Sequence, residues 1–172
     1  MKTTLHLILL SVILLLLQLL VCNNIVLFNV AIPIVFIYVI ISAPLWLNQS
    51  ILFTIAFIIG LIVDIGSDTL GINSLSCTLL AMLKRPVYYA YMERDDHSDD
   101  ITPSISSMGM LDYCKYLLTM VAIYCTLAFS IEYFSFANVK EIAAMACSST
   151  IFTFLLLIGI DSLTKGKREK RL

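Results

Sequence analysis

Between Lys2 and Asp64 the 172-residue chain carries no Asp, Glu, Lys or Arg, and His6 is the one side chain there that titrates near neutrality. Charged residues make up 13% of the whole, against roughly 25% in an ordinary soluble domain. A soluble fold has no means of covering its surface with such a stretch, which excludes a soluble enzyme, a nucleic-acid-binding domain and a disordered chain. Histidine is scarce too: His6 and His97 are too few and too far apart for a metal triad, and no HExxH occurs. The five cysteines (Cys22, Cys77, Cys114, Cys125 and Cys147) are odd in number, lie in or beside apolar runs and form no CxxC. A disulfide framework or a zinc site calls for paired spacings, so they read as small, polarizable filler between helices. No cofactor is expected. What the chain has in abundance is apolar side chains, 60% of the total.

A helix rises 1.5 Å per residue, so crossing about 30 Å of hydrocarbon takes roughly 20 apolar residues. The runs predict an all-α integral membrane protein, a polytopic bundle of about six transmembrane helices in a single domain. The expected spans are residues 5–21, 25–43, 50–65, 70–83, 113–131 and 142–160. Pro33 kinks the second, and Pro44 ends it. The fourth is short and diluted by Asn73, Ser74, Ser76 and Thr78; if it fails to span, five remain. The first run is long, and Val21 is a poor cleavage residue, so it reads as a retained span and not a signal peptide. The cysteine-bearing last span has small residues on its outer half (Ala143, Ala144, Cys147, Ser148, Ser149), which suit a tight helix crossing.

The bases set the orientation. With six spans and the N-terminus inside, ten Lys/Arg are cytoplasmic and only Lys140 is outside. The five-span alternative still puts nine inside. Both arrangements place a polar loop, residues 84–112, and a basic tail, 161–172, in the cytoplasm. Trp46 falls in a short connection, and Tyr88, Tyr89 and Tyr91 follow the fourth span, where amphipathic rings sit at headgroup level. The tail bases (Lys165, Lys167, Arg168, Lys170, Arg171) anchor topology and attract anionic lipid. Nucleic acid is not an expected partner.

Two places stand out as candidate functional surfaces. Ala56, Gly60 and Asp64 are spaced by four on one helix face, where small residues admit another helix, and Gly71 opens the next segment. Together they form a candidate seam for a partner's helix. Asp64 itself has two readings: a functional carboxylate near membrane depth (cation site, proton relay or grip on a partner's base), or a span terminator that solvates the turn with Asp68. The second place is the acidic stretch with Arg85, Glu93, Asp95, Asp96, Asp99 and Asp100, a candidate cytoplasmic docking loop for a basic protein surface. Asp64 and Asp68 lack the nearby nucleophile or base of a catalytic pair, and no enzyme motif is present.

Gly60-Leu61-Ile62-Val63-Asp64 followed by Leu70-Gly71-Ile72-Asn73 resembles the signature of the rod shape-determining MreD family, a Gly-Leu-x-x-Asp span end, a turn, then Leu-Gly. The motif covers about fourteen residues; length, the nearly charge-free first third and the basic end are similar too. The loop from Arg85-Pro86 to Gly109 resembles Bacteroides-like versions. Where many relatives carry His after the Leu-Gly, Asn73 stands here. The resemblance implies a non-catalytic subunit of the bacterial inner-membrane cell-elongation machinery that serves peptidoglycan synthesis. Its partners would be MreC-like, MreB-like and RodA/transpeptidase-like proteins. The family is related to substrate-binding subunits of energy-coupling-factor vitamin transporters, which supplies the alternative. A transporter subunit should converge polar groups at one depth, whereas Gln18, Asn29, Thr54 and Thr126 are sparse.

Overall fold

The computed structural model describes residues 2–20, 33–92, 102–132 and 139–169. These residues form α1 (Lys2–Leu20), α2 (Tyr38–Ser42), α3 (Gln49–Ser67), α4 (Ile72–Tyr91), α5 (Ile105–Met108), α6 (Met110–Glu132) and α7 (Val139–Glu169), and no strand occurs among them. Three helical stretches are long and apolar enough to cross a membrane: Gln49–Ser67, Met110–Glu132 and Ile142–Ser162. Ser11–Leu20 is a shorter apolar helix. Helix α4 is central, packing on α3 and on α6; α7 lies along α6, and α1 along α3.

The expected second span, 25–43, is where sequence and structure part. Residues 25–32 lie outside the described set. From Pro33 to Ile37 the chain is not helical, and only Tyr38–Ser42 forms a short helix. Every residue from Pro33 to Pro44 is buried. Buried backbone outside a helix needs hydrogen-bond partners from elsewhere in the protein, and here side chains from other helices supply some of them. Gln18 of α1 donates from Nε2 to the Pro33 carbonyl (3.1 Å) and accepts from the Val35 N–H (2.9 Å). Thr153 of α7 accepts from the Ile34 N–H at 3.1 Å. Pro33 has no N–H to place, and the Val35 carbonyl accepts from the Tyr38 N–H at 3.2 Å.

The polar loop expected over 84–112 is shorter than its composition suggests. Helix α4 continues through Lys84, Arg85 and Pro86 to Tyr91. Lys84 is 1% exposed and donates to the Ala43 carbonyl, while Arg85 Nη2 donates to the carbonyls of Leu45 (3.1 Å) and Leu47 (3.2 Å). Those carbonyls belong to the turn between α2 and α3, whose N–H donors do not return to satisfy them. Two bases that normally mark a membrane edge are instead drawn inward. Of the three tyrosines expected at headgroup level, Tyr88 is buried edge-on against Tyr116 at 5.9 Å, Tyr91 bonds Thr119 at 2.8 Å, and Tyr89 alone is exposed.

Helix α7 likewise runs past residue 160 into the expected tail, and Asp161 is buried. Its inward stripe is Ala146, Ser149, Thr153, Leu157 and Asp161. Of the small face expected to make a tight crossing, Ser149 is buried, whereas Ala143, Ala144 and Cys147 are exposed.

The close approach occurs at Gly60 instead. A Cβ there would stand 2.5 Å from Ser74 Cα and 2.6 Å from the Asn73 carbonyl oxygen, both backbone atoms that cannot swing aside. Gly60→Ala should therefore destabilise the folded protein by about 1–3 kcal/mol, the cost of overpacking a seam. Gly159→Ala, with no atom within 4 Å of its Cβ position, should be neutral or slightly stabilising. Thermal unfolding of both variants in one detergent checks the pair; equal midpoints would mean that α3 and α4 are not in this contact.

Candidate functional site

Helices α3 and α4 meet at a four-residue turn, and Asp64 holds both helix ends. At the end of α3, the N–H groups of Asp68 and Thr69 donate to the Asp64 carbonyl, the latter at 3.0 Å, with Asp68 in the left-handed region at φ 53°. The first N–H groups of α4 need acceptors, as at any helix start. Gly71 occupies the cap position at φ 77° and has no side chain to offer. The Asp64 carboxylate reaches across from α3 in its place. Its Oδ1 accepts from Thr69 Oγ1 (2.6 Å), the Asn73 N–H (2.9 Å) and Asn73 Nδ2 (3.0 Å). Its Oδ2 accepts from the Ser74 N–H (2.8 Å) and the Ser74 hydroxyl. A carboxylate offers about four lone-pair sites, so five donors leave no acceptor capacity for a cation or a partner's base. Negative charge at a helix N-terminus is also favoured by the aligned peptide dipoles.

Asn73 extends the cluster. Its amide nitrogen serves Asp64 and Thr69, and its carbonyl oxygen accepts from the Tyr124 hydroxyl of α6 at 2.6 Å. The Tyr124 ring then packs edge-on against Phe36 in the broken segment, 5.8 Å between centroids. Asn73 thus fills its position with an amide that both donates and accepts.

The candidate partner seam is internal. Ala56, Gly60 and Asp64 are buried, and the helix that lies on Gly60 is α4 of the same chain. Small residues at a spacing of four admit a neighbour, and a helix joined by a short turn occupies that place before any separate partner. Gly71 does not belong to this seam: it is exposed, with nothing within 4 Å of its Cβ position, and serves the turn. In the candidate docking loop, Arg85 belongs to α4 and holds the 45–47 turn. Glu93, Asp95, Asp96, Asp99 and Asp100 lie outside the described residues.

Several residues that hold the structure together were not read from the sequence as site residues. Asp161 accepts from the hydroxyls of Tyr38 (2.5 Å) and Tyr113 (2.9 Å), tying α2, α6 and α7. Ser74, Tyr124 and Thr153 are in the same class. The available signal was a polar group isolated in an apolar run, which flags Gln18 and Thr153 as buried donors or acceptors without naming their partners. Among the described residues no group of three His, Cys, Asp or Glu is arranged to hold a metal.

A cavity of about 110 Å³ adjoins the hairpin, bounded by apolar walls and by Gln18, Ser67, Thr69, Asn73 and Glu132. Polar groups from four elements therefore do converge at one depth, a pattern not apparent from their spacing in the chain. Small-molecule sites usually run to about 300–1,000 Å³, so this one has room for a few waters.

Asp64→Asn removes acceptor capacity and turns an amide N–H₂ toward donors, so it should cost about 2–4 kcal/mol of stability. Asp68→Asn, exposed and in a conformation that Asn adopts readily, should change little. Thermal unfolding of both in detergent is the measurement; an unshifted Asp64→Asn protein would remove the carboxylate from the hairpin's support. Compared with known proteins, the chain matches no family model, no curated protein and no solved structure.

Proposed function

We propose that this protein is a non-catalytic, multi-pass subunit of the bacterial inner membrane that scaffolds the cell-elongation machinery. The observation that carries the reading is the saturation of Asp64. The residues that give the resemblance to the MreD family (Gly60, Asp64, Leu70, Gly71, Asn73) build a rigid, capped hairpin whose carboxylate is consumed within the chain. A constellation spent on folding supports a structural role, not a reaction. Partners of the MreC, MreB and RodA/transpeptidase kinds would then meet outward faces and the acidic cytoplasmic loop, since the Ala56/Gly60 seam is taken by α4.

The runner-up, a substrate-binding subunit of a vitamin transporter, draws support from the polar-edged cavity beside Asn73. Its volume argues against a vitamin-sized ligand.

Depleting the protein from its own rod-shaped bacterium should yield round cells while growth in mass continues. Unchanged rods would overturn the elongation role. In the purified protein, a rise in melting temperature with a vitamin panel would favour the transporter reading; no shift is expected.

A further inference from the structure

An apolar groove of about 350 Å³ runs between α1 and α3, floored by the broken segment. Leu15 forms one wall, Ile55, Ile58 and Ile62 the other, and Ile40 part of the floor. Along α3 it extends from Leu52 to Ile62, ten residues or about 15 Å. That is half the roughly 30 Å hydrocarbon thickness, the depth of one leaflet.

The two ends of the groove differ. One end closes at the Pro44–Leu47 turn, where Trp46 is 51% exposed, a position suited to the headgroup level. Arg85 reaches this turn from α4. Its Nη2 gives both bonds to the Leu45 and Leu47 carbonyls, and the three N–H groups on Nε and Nη1 meet no acceptor among the described residues. The one ion pair among those residues, Lys115–Asp112, lies on α6 and leaves this guanidinium without a counter-charge. An apolar channel one leaflet deep, closed by a turn that carries an exposed indole and holds a cation on its carbonyls, has the chemistry of a phospholipid with a negative headgroup.

The geometry points to a binding site for one anionic phospholipid, an acyl chain lying in the α1–α3 groove and its phosphate at Arg85. The assignment rests on membrane insertion alone and not on the elongation role.

The test uses the full chain, delipidated in neutral detergent, with equimolar phosphatidylglycerol and phosphatidylcholine of identical acyl chains, read by native mass spectrometry. Phosphatidylglycerol adducts should exceed phosphatidylcholine adducts by about five-fold, the effect of one base meeting an anionic lipid. Ile58→Trp, at a half-exposed wall position, should remove the adducts while leaving the melting temperature unchanged. Arg85→Gln should bring the two lipids to equal retention. Equal retention by the wild type, retention that survives Ile58→Trp, no adduct on helical protein, or a dimer that Ile58→Trp dissociates would each overturn the site. Carbonate washing of cell membranes tests insertion separately: a chain that washes off sinks the membrane reading itself.

Discussion

A stretch of buried backbone that is not helical must find hydrogen-bond partners outside itself, and the rest of this bundle is arranged around that need. Residues 33–44 pass through the core with helix only at Tyr38–Ser42, and a turn follows at 44–47. In hydrocarbon an unmet N–H or C=O costs several kcal/mol. Gln18, Thr153, Lys84 and Arg85 meet these groups from α1, α7 and α4. Tyr116 of α6 adds a longer contact to the Ile41 carbonyl at 3.4 Å. Helices far apart in the chain are thereby tied to one segment, and the few polar residues inside apolar runs acquire a purpose.

The α3–α4 hairpin solves the same problem at helix ends. Gly71 permits the left-handed turn but brings no capping side chain, and Gly60 lets α4 come close enough for Asp64 to serve instead. The two glycines and the carboxylate form one device: remove the close approach and Asp64 no longer reaches Ser74. Through Asn73 and Tyr124 the device is joined to α6, and through Phe36 to the broken segment. The Asp64 carboxylate and the Asn73 amide are thus spent on holding the bundle together. The surfaces left for partners or lipid are then the outward apolar faces, the α1–α3 groove among them.

Much of the helical layout was legible in the sequence. The runs at 50–65, 113–131 and 142–160 lie within α3, α6 and α7, because apolar length is a local property and helix is the structure that satisfies its own backbone. Asp64 was recognisable as exceptional, and its reading as a span terminator lies nearer the observed cap than the cation site, relay or partner grip. Lys84 and Arg85 were read as loop residues because adjacent bases after an apolar run ordinarily mark the water interface. They are helical here for a reason forty residues away, the open carbonyls of the 43–47 turn. Asp161 was read as the start of a tail, although two tyrosines from other helices bury it.

Composition and local pattern alone determined that the chain is helical and rich in membrane-length apolar runs, with a polar break at 66–69 where the structure turns at 68–71. They also placed Ala56, Gly60 and Asp64 on one helix face. Each of these follows from neighbours within a few residues. Which helix fills the Ala56/Gly60 seam, where the second apolar run breaks, and whether a polar side chain is free or spent were decided only by tertiary structure. Those outcomes depend on partners such as Thr153 and Ile34, 119 residues apart. A small residue states that something can come close, and a buried donor states that something must accept; neither states what.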